Sequence, residues 1–110
     1  MQAITIAERL WLEPTLLGAT LNYSERPSGV LYRVGIGFRS LAQCDKALKE
    51  KGAHWGLQDN SLLIDGVEEL TLTFCPGSAI ERKVVLSGEE LAIFKEAIHF
   101  LTLSSEPRLN

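Results

Sequence analysis

Few residues in this 110-residue chain have types and spacing suited to chemistry. The first group is Gly35-Ile36-Gly37-Phe38-Arg39-Ser40. It lies between a strand pattern and a helix pattern, where glycine-rich phosphate loops sit. Glycines there let a phosphate approach the backbone, and a helix start offers free N–H groups. A nucleotide fold needs a third glycine, and Ser40 stands in its place. It also needs an acid about 20 positions on, where the chain has Trp55, with Asp59 further along in a turn. What remains is a simple anion site made by Gly37, Arg39 and Ser40, or a strand whose glycines admit a closely packed neighbour.

The histidines, cysteines and paired acids suggest less. His54 and His99 have neither HxxxH spacing nor a CxxC context, so no metal signature is present. His99 falls near a helix C-terminus, where a cation suits the dipole. Cys44 falls on an apolar helix face and Cys75 precedes Pro76; both read as reduced thiols of a cytosolic protein. Glu68 and Glu69, as neighbours on a strand, point to opposite faces and make no acid–base pair. No Walker loop, nucleophile elbow, zincin helix or calcium loop occurs. The chain therefore reads as non-enzymatic, with no cofactor and no metal.

The elements that would position a site are easier to read. The segment from Ile80 to Leu101 is a strand that turns into a helix. Ile80, Arg82, Val84 and Leu86 alternate with their neighbours, the period of a half-buried strand. Ser87-Gly88-Glu89-Glu90 has the form of a capping box, with Leu86 and Leu91 as its staple. Leu91, Phe94, Ile98 and Leu101 then share one helix face. Upstream, residues 3–12 read as one strand, with a short helix as the alternative. Glu13-Pro14-Thr15 reads as a turn. The row Leu17, Ala19, Leu21, Tyr23 is a second strand, and Val30, Tyr32, Val34, Ile36, Phe38 a third. Ser40-Leu41-Ala42-Gln43 is a second capping box, followed by a helix that stops at Gly52. Trp55 and Leu57, then Leu62 to Ile64, then Leu70, Leu72 and Phe74 make the second set of strands. Asp65-Gly66 signals a tight hairpin.

The order is therefore roughly βββα–(β)βββα. Antiparallel meanders with two helices collected on one side give an α+β fold. Residues 1–101 read as a single domain, with a flexible polar tail over 102–110. A β-meander followed by a helix, together with the segment KVVLSGEELAIFKEAIHFL, resembles the Whirly-type and positive-cofactor-type single-stranded nucleic-acid-binding domains. That resemblance implies a nucleic-acid-binding sheet.

Composition bounds the partners. Net charge is −3, which argues against duplex DNA binding by bulk charge. The start MQAITIAERL lacks the basic and apolar regions of a secretory signal, and no apolar run is long enough to cross a membrane, so a cytoplasmic location is expected. Parity then picks out one surface. If Val34, Ile36 and Phe38 face the core, Arg33, Gly35 and Gly37 face away, joined by Arg9, Trp11, Thr20 and Asn22. Arg and Trp are enriched among binding hot spots. The candidate binding residues are Arg9, Trp11, Asn22 and Arg33, and the partner expected is another protein or a second copy. The alternative is single-stranded nucleic acid, with Trp11 stacking a base and Arg9 and Arg33 on phosphate. A third is a small ligand, or a small enzyme's substrate, at the Gly35–Ser40 turn.

Overall fold

The computed structural model describes residues 2–104. It is an α+β structure of two four-stranded antiparallel sheets and two helices. The first sheet contains β1 (Ile4–Ala7), β2 (Leu10–Thr15), β3 (Gly18–Ser24) and β4 (Leu31–Gly37), paired in chain order. Helix α1 (Phe38–Lys49) follows. The second sheet contains β5 (Ala53–Gly56), β6 (Leu62–Gly66), β7 (Leu70–Phe74) and β8 (Arg82–Leu86), again in chain order, and α2 (Gly88–Ser104) follows. The chain is thus the unit ββββα run twice.

The extra strand in the first unit comes from residues 3–12. They form two strands, not one, joined at Glu8 and Arg9. The register explains why they look continuous. The hairpin pairs Ala7 with Leu10, which on its own would put even residues of β1 opposite odd residues of β2. A bulge between Thr5 and Ala7 shifts the register by one, so that Ile4 meets Leu12 and Thr5 meets Trp11. Even-numbered residues then face the core on both strands, and Ile6, Leu10 and Leu12 are all buried. Glu13, Pro14 and Thr15 are not a turn but the end of β2. Pro14 is tolerated because β1 begins at Ile4, opposite Leu12, so on that side no strand seeks the missing N–H.

Other boundaries move too. Leu17 lies in the β2–β3 turn and Phe38 begins α1, so both leave the buried rows assigned to them and stand exposed. Ile80 lies in the turn before β8 and is also exposed. Neither capping box forms. Gly37, in extended conformation, occupies the N-cap of α1, and the Phe38 N–H donates to the Leu17 carbonyl at 3.1 Å, so no hydroxyl is needed. Ser40 is already inside the helix. At α2, Gly88 has φ +54°, outside the helical region that the box geometry requires, and the Ser87 hydroxyl makes no hydrogen bond among the described residues. Thr102 to Ser104, expected in the tail, continue α2, and Thr102 is buried. The remainder of that tail, 105–110, lies outside the described residues.

The core is one contiguous cluster drawn from both sheets and both helices. Phe94, Ile98 and Leu101 of α2 and Leu41, Cys44 and Leu48 of α1 supply the helical share. Helix α1 packs on β3 and β4 of its own sheet and on β5 of the other, while α2 packs on α1 and on β1. At the far end the sheets meet directly. Tyr23 and Tyr32 of the first sheet lie 5.5 and 5.6 Å, centroid to centroid, from Phe74 of the second. The Tyr32 hydroxyl donates to the Ile80 carbonyl at 2.7 Å, and Arg82 pairs with Glu25 across the same seam.

Candidate functional site

The outer face of the first sheet is built by register. Thr5 pairs with Trp11, Trp11 with Asn22, and Asn22 with Arg33. Residues in register across antiparallel strands share a face, so the four form one row across the sheet. A second row places Glu13 beside Thr20 and Gly35. Three of the four candidate binding residues, Trp11, Asn22 and Arg33, are thus adjacent. Arg9 is half-buried in the β1–β2 turn, where its guanidinium lies 3.7 Å from the Glu8 carboxylate.

Asn22 is the fixed point of the row. It is 1% exposed although it points away from the main core. Its amide nitrogen donates to Glu13 Oε1 at 2.9 Å and to the Thr20 carbonyl at 3.2 Å. The same Glu13 oxygen lies 3.4 Å from Trp11 Nε1. A buried amide with two acceptors is satisfied, so Asn22 is a base plate and not a contact residue. The side chains that remain to meet a partner are Trp11, half-buried, and Arg33, exposed. Leu31, two residues before Arg33 on β4, adds an exposed apolar side chain to this face. Glu13 places a carboxylate among them.

The second sheet carries a related row that the sequence did not bring to notice. Leu63 pairs with Thr73, and Thr73 with Lys83. Thr73 is buried in the middle, as Asn22 is, with a cation on the last strand. Arg33 stands five residues before Phe38, the start of α1, and Lys83 five residues before Gly88, the start of α2. The signal available was that spacing, measured back from each helix; residue identity between the halves is too low to reveal it.

The Gly35–Ser40 turn offers less than its composition suggests. Gly37 and Arg39 are exposed and Ser40 is half-buried, with Phe38 between them at the helix start. One of the helix-start N–H groups is already bonded to Leu17.

Two histidine–carboxylate pairs were also not legible in the sequence. On the outer face of the second sheet, His54 Nδ1 and Asp65 Oδ1 are 3.3 Å apart on paired strands, both largely exposed. Between the helices, His99 Nδ1 lies 3.1 Å from Asp45 Oδ2, which Lys49 Nζ also approaches at 3.1 Å. A shallow cleft beside them is lined by Leu48, Lys95 and Glu96. Both cysteines are free thiols. Burial, reinforced by the neighbouring Asp45 charge, pushes the Cys44 thiol up to about 12, so it is a packing residue and not a nucleophile. Among the described residues no group of three His, Cys, Asp or Glu side chains is placed to hold a metal ion, and no helix is long and apolar enough to cross a membrane.

Compared with the models of known families, with curated proteins and with solved structures, the chain finds no significant match in any of the three.

Proposed function

We propose that this chain is a non-enzymatic protein-interaction module that receives its partner on the outer face of the first sheet. The observation that carries this reading is the row Trp11–Asn22–Arg33. It joins an aromatic and an arginine, the side chains most enriched among binding hot spots, over a buried amide that holds the strand surface rigid. Rigid anchors lower the ordering cost of association. Leu31 extends the apolar part, and Glu13 lets the face recognise a partner of mixed charge. Free thiols fit a reducing compartment, and the cytoplasm is the location we infer. The test is an affinity capture from the source cell with wild type, Trp11→Ala and Arg33→Glu compared side by side. A specific partner should be retained by wild type and lost at least tenfold in both variants. Capture that neither substitution weakens would remove this face from consideration.

A second reading is single-stranded nucleic acid. It is favoured by the repeated basic position, Arg33 on one sheet and Lys83 on the other, in a chain built twice as ββββα. Trp11 would stack a base, with Arg9 and Arg33 on phosphate. Glu13, in the same face, opposes a phosphate backbone. Anisotropy of a labelled oligonucleotide decides between the two. This reading requires tight binding at low salt that weakens steeply as salt rises, and a gain in affinity for Glu13→Gln.

A further inference from the structure

Among the described residues, the carboxylates drawn back from full exposure are Glu13, Glu25, Asp45 and Glu81. Two of them answer a cation. Glu25 pairs with Arg82, and Asp45 with Lys49 and His99. Glu81 accepts the Gly77 N–H of its own turn at 2.8 Å. Glu13 has no ion-pair partner among the described residues and closes no turn.

The groups that hold Glu13 are neutral. The Asn22 amide donates to its Oε1 at 2.9 Å, and the Trp11 indole N–H faces the same oxygen at 3.4 Å. The second oxygen, Oε2, has no hydrogen-bond donor among the described residues. A carboxylate fixed through one oxygen and free at the other is a preformed acceptor, because little side-chain freedom is left to lose on binding.

The surface beside it is lowered. Glu13 pairs with Thr20, and Thr20 with Gly35, in one cross-strand row. Gly35 is exposed and has no positive φ, and a Cβ there would meet nothing within 4 Å. A glycine inside a strand weakens it, and it marks a bulge or the close approach of another backbone or ligand. The β3–β4 register is unbroken, and nothing in the fold comes close. That leaves an approach from outside the chain. Thr20 and Gly35 line a shallow groove of about 370 Å³ with Thr15, Leu17 and Gly37.

Charge names the occupant. The face carries the Glu13 carboxylate on β2 and, two strands away on β4, the exposed Arg33, which also has no ion-pair partner among the described residues. A phosphate or an acidic side chain over β2 would meet Glu13 as a like charge, and a cation matches it. Trp11, half-buried beside the carboxylate, adds an indole ring, on which a guanidinium stacks better than an ammonium.

We propose that Glu13 is the seat of an arginine side chain from the protein partner. The guanidinium meets Oε2 and the Trp11 indole, and the adjoining main chain lies on the bare backbone at Gly35. This rests on the partner-binding reading of the same face and specifies the chemistry the partner must bring.

The probe is the peptide acetyl-Gly-Arg-Gly-amide, titrated into the isotope-labelled full chain and read by NMR at the Trp11 indole N–H and the Gly35 amide. Both signals should move saturably in the millimolar range. The citrulline analogue, similar in shape but uncharged, should bind about fivefold more weakly, the worth of one surface charge pair. Glu13→Gln keeps an oxygen for Asn22 and Trp11 and removes only the charge, so it should weaken the arginine peptide by the same factor. Gly35→Val suits a strand and meets nothing in the fold, so it should stay folded and also bind the peptide more weakly. No movement of the two signals, equal binding of the arginine and citrulline peptides, or a variant that binds as well as wild type overturns the proposal. The affinity capture separates it from the reading beneath it. A partner lost from Trp11→Ala and Arg33→Glu but kept by Glu13→Gln leaves the face as the docking surface and removes the arginine seat. A partner kept by all three removes both.

Discussion

Asp45 and His99 are 54 residues apart in sequence and meet at 3.1 Å between the two helices. The contact ties the helix that closes the first unit to the helix that closes the second. Asp45 is 7% exposed, and its carboxylate oxygen is shared by His99 and by Lys49 one turn away. His99 and Lys49 are themselves much more exposed. That asymmetry decides which substitution costs more.

Replacing Asp45 by Ala frees two side chains that can reach water, so the loss should be about 1 kcal/mol. Replacing both partners, as in Lys49→Met with His99→Phe, strands a buried carboxylate and should cost about 3 kcal/mol or more. Urea unfolding of the three proteins gives both numbers. An Asp45→Ala variant that loses more than the double variant would show that the acid holds the helices by packing alone.

Two glycines, Gly66 at the end of β6 and Gly35 within β4, differ sharply in what they permit. Gly66 has φ +154°, and a Cβ there would lie 1.8 Å from the Glu69 carbonyl oxygen. Gly35 has nothing within 4 Å of the same position. Gly66→Ala should therefore destabilise by several kcal/mol, on the order of 3 or more, through backbone displacement of the β6–β7 turn. Gly35→Ala should leave the melting temperature nearly unchanged. Thermal melts of the pair are sufficient, and equal melting temperatures would contradict the hairpin geometry.

The Cys44 thiol is raised to about 12 by burial first and by the Asp45 charge second. In the unfolded chain it titrates near 8.5. Below that value both states are protonated and the group adds nothing to the pH dependence. Between about 9 and 12 the unfolded state loses its proton while the folded state keeps it, so this group makes stability fall as pH rises. Cys44→Ser or Cys44→Ala should flatten that alkaline slope. At pH 8 the folded protein should alkylate at Cys75, which is half-buried, well before Cys44. Peptide mapping after brief iodoacetamide treatment checks the order.

Phe74 is fully buried and stacks against Tyr23 at 5.5 Å, so it belongs to both sheets at once. Phe74→Ala should cost about 3–5 kcal/mol, the range for an aromatic removed from a core. Phe74→Leu keeps most of the volume and should cost less than half as much. Because the seam joins the two halves, the Ala variant should also raise hydrogen exchange in both sheets, not only in β7.

Alternation alone was enough to assign the faces. Trp11, Asn22 and Arg33 share a surface because a period of two is a property of each strand, whatever it pairs with. The stripe Phe94–Ile98–Leu101 identified the buried side of α2 for the same local reason. The sequence did not disclose the turn at Glu8 and Arg9, because the bulge before Ala7 restores parity and the two short strands mimic one. Nor did it disclose the exposure of Leu17 and Phe38, which follows from where the chain reverses and where α1 starts. The packing of α2 on α1 and β1 and the Asp45–His99 contact depend on how the two units face each other. That arrangement is set by distant contacts, and no local period encodes it.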